Sequence, residues 1–134
     1  MDGAQAIADL TEISSQIESV VLLDAKGAVV GSTFADDASA TRFAEAAKAL
    51  LDASESLREG GEALTQLEAE TPEGSVFVLR EGERLIAATT VPDPTVGLVF
   101  YDLKSALRAA EDAKPKRKPR ARAKKATEAA KDDA

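Results

Sequence analysis

Apolar residues recur along the chain with two different periods, and the switches between them divide it into eight elements. Over residues 4–17, Ile7, Leu10, Ile13 and Ile17 fall at three- and four-residue steps among Asp9, Glu12 and Gln16, the spacing of an amphipathic helix. Val20-Val21-Leu22-Leu23 and residues 28–34 are β-rich runs joined by Asp24-Ala25-Lys26-Gly27. That arrangement predicts a hairpin in which Asp24 bonds the local backbone and Gly27 takes the left-handed position. Helical spacing returns over 37–59, where Phe43, Leu50 and Leu57 recur every seventh residue with Ala47 and Ser54 between them. Asp36 or Asp37 can cap its start, and Gly60-Gly61 supplies the positive φ that ends it. Three strands follow at 63–71, Ser75–Arg80 and Leu85–Val91, the last two joined across Glu81-Gly82-Glu83. Pro92-Asp93-Pro94 breaks the last strand, and Thr95 can cap a final helix to about Ala113 with Val96, Phe100, Leu103 and Leu107 on one face. The β-branched Val96 and Val99 make a sixth strand the competing reading over 96–101.

The order α-β-β-α-β-β-β-α predicts an α/β (α+β) three-layer sandwich. Val20–Leu23, 75–79 and 85–91 carry apolar residues on both pleat faces, so both faces must be covered. Residues 63–71 are polar on one face, as an edge strand can be. A five-stranded, mostly antiparallel sheet satisfies both conditions, with helix 37–59 on one face and the two terminal helices on the other.

Composition then narrows the chemistry. The 134 residues contain no His, no Cys and no Trp. Absent thiols exclude disulfides, cysteine-ligated zinc and thiol catalysis, and absent histidine removes the commonest general base and transition-metal ligand. Serines 14, 15, 32, 54, 56, 75 and 105 therefore lack the partner a nucleophile needs. Carboxylate pairs such as Asp36/Asp37 and Glu68/Glu70 lie in polar stretches and read as solvated faces. Asp24 and Gly27 read as a turn rather than a metal or phosphate loop. Gly60-Gly61 follows a helix, whereas a phosphate cradle precedes one. No catalytic residue, metal or cofactor is expected. Met1-Asp2-Gly3-Ala4 opens no signal peptide, and no apolar run approaches the ~20 residues of a membrane span, so a cytoplasmic protein is expected.

Charge divides the chain in two. Residues 114–134 hold nine Lys or Arg against three acids, a net of +6, which leaves −13 on residues 1–113 of a chain totalling −7. Seven cations, Lys116, Arg117, Lys118, Arg120, Arg122, Lys124 and Lys125, fall between Pro115 and Lys125 with no apolar side chain larger than Ala beyond the prolines. Such a segment cannot join a core, so the expected organisation is a domain over 1–113 and a disordered basic tail over 114–134. Three roles remain open for the tail: a solubilising extension, a sequence-blind binder of nucleic acid or another polyanion, or a segment that docks on an acidic surface.

The order of elements and several local strings resemble the roadblock/LC7 family. The strings are Val20-Val21-Leu22-Leu23-Asp24-Ala25-Lys26-Gly27-Ala28-Val29-Val30, the Ala/Leu-rich helix closed by a Gly pair, and Val96-Gly97-Leu98-Val99-Phe100, where the family often has Asn-x-Gly-Leu. The resemblance runs from about Ile7 to Arg108. It implies a small homodimeric or heterodimeric platform that binds Ras-like GTPases or dynein intermediate chains. It also implies that the strand after the middle helix lies at the sheet edge and joins the dimer contact.

The middle helix supplies the candidate surface. At about 100° per residue its apolar arc runs from Ala49 and Ala53, through Leu50 and Phe43, to Leu51 and Ala44, roughly twice the arc a one-sided core contact requires. Either a second surface is present or alanine serves only as a helix former. The candidate dimer or partner residues are Ala44, Ala49, Leu51 and Ala53, with Leu67 on the following strand. Glu68 and Glu70 on that strand would repel their own copies across a two-fold axis, so the helix is expected to dominate self-association, as a homodimer.

Overall fold

Asp2 starts the first helix by accepting a 2.8 Å bond from the Gln5 N–H, and Ser14, in an extended conformation, ends it. From there the computed structural model, which describes residues 2–57 and 65–112 (of 111 and 112 the backbone alone), follows the expected order. The elements are α1 Gly3–Ile13, β1 Ile17–Leu23, β2 Val29–Ser32, α2 Asp37–Glu55, β3 Gln66–Thr71, β4 Gly74–Glu81, β5 Arg84–Thr90 and α3 Val96–Asp112. Residues 96–101 are helical, so the competing strand is not formed.

Some expected boundaries move. Ile17 belongs to β1, because Ser14 and Ser15 interrupt the helix; Ser14 Oγ accepts from the Gln16 N–H instead. Ile13, expected on the apolar face of the first helix, is 73% exposed. α2 ends at Glu55 rather than 59, and Leu57 lies exposed beyond it; Gly60-Gly61 and positions 63 and 64 fall outside the described residues. The start of α3 buries Val99 in place of Val96.

The five strands form one antiparallel sheet in the order β2-β1-β5-β4-β3. The three strands that are apolar on both faces occupy its centre, and the polar-faced β3 is an edge. Alternation sorts the side chains into two cores. Val20, Leu22, Phe77, Leu79, Ile86 and Ala88 face α1 and α3, where Ile7, Leu10, Val99, Leu103 and Leu107 meet them. Val21, Leu23, Val78, Leu85 and Ala87 face α2, where Ala40, Ala44, Ala47 and Leu51 meet them. Fully burying a Leu, Ile or Phe contributes about 1.5–3 kcal/mol, so the two layers supply most of the stabilisation.

Small residues set the spacing on the α2 side and at one edge. Ala40, Ala44 and Ala47 let α2 lie close to the sheet. Gly3 and Gly31 bring the start of α1 onto β2: a Cβ on Gly31 would stand 2.6 Å from the Gly3 carbonyl oxygen. Polar contacts tie the layers. Arg84, buried at the start of β5, donates through Nη1 to the Leu107 carbonyl at 2.9 Å. Arg108 donates to both carboxylate oxygens of Glu81 at 3.1 and 2.9 Å, which holds α3 to the β4–β5 turn.

Candidate interaction surface

Helix α2 begins where Asp36 accepts bonds from both the N–H and the hydroxyl of Ser39, at 2.9 and 3.0 Å. These bonds favour the charged carboxylate and hold its pKa below the usual value. The far end is fixed by ions: Arg80 of β4 donates to Glu55 at 2.9 Å and lies 3.7 Å from Asp52, which also pairs with Lys48 at 3.1 Å.

The wide apolar arc resolves into two parts. Ala44 and Leu51 are 3% and 0% exposed and pack against the sheet, so these two expected interface residues belong to the core and offer no surface. Ala49 and Ala53 lie exposed with Ala46 and Leu50, forming an outward stripe bordered by Arg42 and Glu45. Leu67 is half-buried, packed beside the α2 core from the edge strand. The structure thus brings Ala49 and Ala53 together and places Leu67 on a different element. The seven expected tail cations, Lys116 through Lys125, lie outside the described residues.

Other candidates resolve as local structure. Asp24 Oδ1 accepts from the N–H groups of Lys26 and Ala28, and Gly27 sits at φ 85°, as a hairpin turn requires. The neighbouring groove of about 440 Å³ mixes Lys26, Lys48 and Arg80 with Asp24, Glu55 and Glu83, so neither sign of charge dominates. Among the described residues no cluster of three or more acidic side chains is placed to hold a metal. No described helix is long and apolar enough to cross a membrane.

The sequence reading missed a second surface on the opposite side. Between α1 and α3 lies a groove of about 350 Å³ whose lining joins Ala6, Leu10, Ile13 and Ala106 to the polar Asp9, Asp102 and Ser105. Asp102 is 9% exposed, and burial pushes its pKa up. The available signal was an aspartate three residues after Val99 and four before Ala106, within the buried face of α3.

An antiparallel sheet with one helix on one side and a helix pair on the other defines a three-layer α+β domain. The chain belongs to the roadblock/LC7 family: the Roadblock/LC7 domain matches residues 4–90. It is similar to a Roadblock/LC7 domain from Streptomyces avermitilis at 21% identity and TM-score 0.73, over 84% of this chain and 97% of that one. Myxococcus xanthus MglB is similar at 18% identity and TM-score 0.58, over 81% and 89% of the two chains. LokiProfilin2, in a complex with rabbit actin, is similar at 16% identity and TM-score 0.58, over 81% and 95%. No curated protein matches the chain. At these identities the structural likenesses establish the fold.

Proposed function

We propose that the chain is a non-catalytic, cytoplasmic homodimeric scaffold that binds or modulates a small Ras-like GTPase. The observation that carries this reading is the outward stripe Ala46, Ala49, Leu50 and Ala53 on α2 of a roadblock/LC7 domain. A core-facing helix has no need of this second apolar side, and small residues allow another helix to approach closely. Edge strand β3 offers unpaired backbone, but Glu68 and Glu70 oppose in-register pairing with a second copy, so α2 is the main contact. A rigid domain of this kind acts by contact alone: it favours the partner's conformation in which the switch loops are ordered.

The test is capture of small GTPases by the full chain, by Ala49→Arg/Ala53→Arg, and by a variant with the seven cations from Lys116 to Lys125 changed to Gln, followed by direct binding to the GTPase recovered. Binding by the wild type and the tail variant, lost in the α2 variant, supports the reading. Retention by the α2 variant, or recovery of nucleic acid alone and only with an intact tail, contradicts it.

A further inference from the structure

The groove between α1 and α3 has a composition that selects its occupant. The helices run antiparallel, joined where Gln16 Oε1, just past α1, accepts a 2.6 Å bond from the Thr95 N–H, just before α3. Ala6, Leu10 and Ala106 form apolar walls, and Ile13 and Tyr101 stand at the rim, 73% and 68% exposed. Asp102 is nine-tenths buried and lines the groove, and no hydrogen bond or ion pair reaches it among the described residues. Asp9 adds a second carboxylate to the lining. A carboxylate held in an apolar recess without a counter-ion is costly, and a delivered cation offsets that cost.

A lysine or arginine side chain matches each part of this site. Its aliphatic stem lies along apolar walls while its head meets the carboxylate. The exposed face of Tyr101 can further hold a cation. We propose that the α1/α3 groove is a receptor for the chain's own basic run, Lys116–Lys125, docked in cis with a cationic side chain on Asp102.

Charge and reach favour this occupant. The run belongs to a +6 segment, and the preceding 113 residues carry −13. It follows α3, which forms one wall of the groove. From Asp102 to the helix end at Asp112, α3 rises about 15 Å. Extended chain covers about 3.3 Å per residue, so roughly five residues retrace that distance. The cations that first reach Asp102 are therefore Arg117, Lys118 and Arg120.

The chain has one tyrosine and no tryptophan, so its intrinsic fluorescence reports the groove rim directly. Acrylamide quenching of Tyr101 is measured in the full chain at about 0.01 M and about 1 M salt, which span weak and nearly complete screening of exposed charge. At low salt the wild type should be protected, independently of protein concentration, and high salt should remove that protection. Changing Lys116, Arg117, Lys118 and Arg120 to Gln, all beyond α3, should remove it at low salt, as should Asp102→Asn. Equal quenching of wild type and tail variant at low salt overturns the proposal, and so does protection that survives Asp102→Asn. Protection that grows with protein concentration also overturns it, because the run would then occupy a second copy.

Discussion

Arg80 of β4 donates to Glu55 of α2 across 2.9 Å, while its own backbone N–H binds the Thr65 carbonyl at 2.7 Å beside edge strand β3. One residue thus fixes the C-terminal end of α2, the element proposed to meet a partner, and the approach to edge strand β3. Arg80→Gln should lower unfolding stability by about 1 kcal/mol, since the pair is partly exposed and salt-screened. Urea denaturation at low and high salt checks this, with the difference shrinking as salt rises.

The two sides of α2 should respond oppositely to substitution. Leu51→Ala empties space in the sheet-facing core and should cost about 3 kcal/mol in chemical denaturation. Ala49→Arg, on the outward stripe, should change monomer stability by less than about 0.5 kcal/mol. Equal losses would mean that the outward stripe is also packed.

Gly31→Ala should be among the most damaging small changes. Its new methyl would stand 2.6 Å from the Gly3 carbonyl oxygen, so α1 must lift from β2, at about 2 kcal/mol or more. Gly27→Ala meets no neighbouring atom and strains only the backbone at φ 85°, about 1–2 kcal/mol. Thermal unfolding of both variants checks the order.

Acid sensitivity should come in part from Glu81. The paired bonds from Arg108 hold its pKa below the usual 4.5. A carboxylate depressed in the folded state adds stability above its unfolded pKa and loses it as pH falls through the folded one. Glu81→Gln should therefore be less stable than wild type at neutral pH, with the gap closing below pH 4.5. Denaturation midpoints across that range test the sign; a gap that widened with acid would refute it.

The layers and strand positions were legible in the sequence because β1, β4 and β5 are apolar on both faces while residues 66–71 are not. Helix ends were less legible. Ile13 and Ile17 continue a helical spacing that breaks at Ser14, whose hydroxyl bonds locally to the Gln16 N–H, and a periodicity count gives serine no weight. The α2 arc was found, but periodicity alone could not say which part faced the sheet. That choice depends on alanines packing against Val21, Val78 and Ala87, a contact between distant segments. The Asp102 groove was missed because it belongs to two helices, and neither shows it alone.

Dimerisation through α2 is tested most directly by the mass in solution of the wild type and of Ala49→Arg/Ala53→Arg, measured by light scattering. The wild type should show twice the 14.0 kDa chain mass and the variant a single chain mass, both folded by circular dichroism. A wild-type monomer, or a variant that keeps the doubled mass, would contradict it.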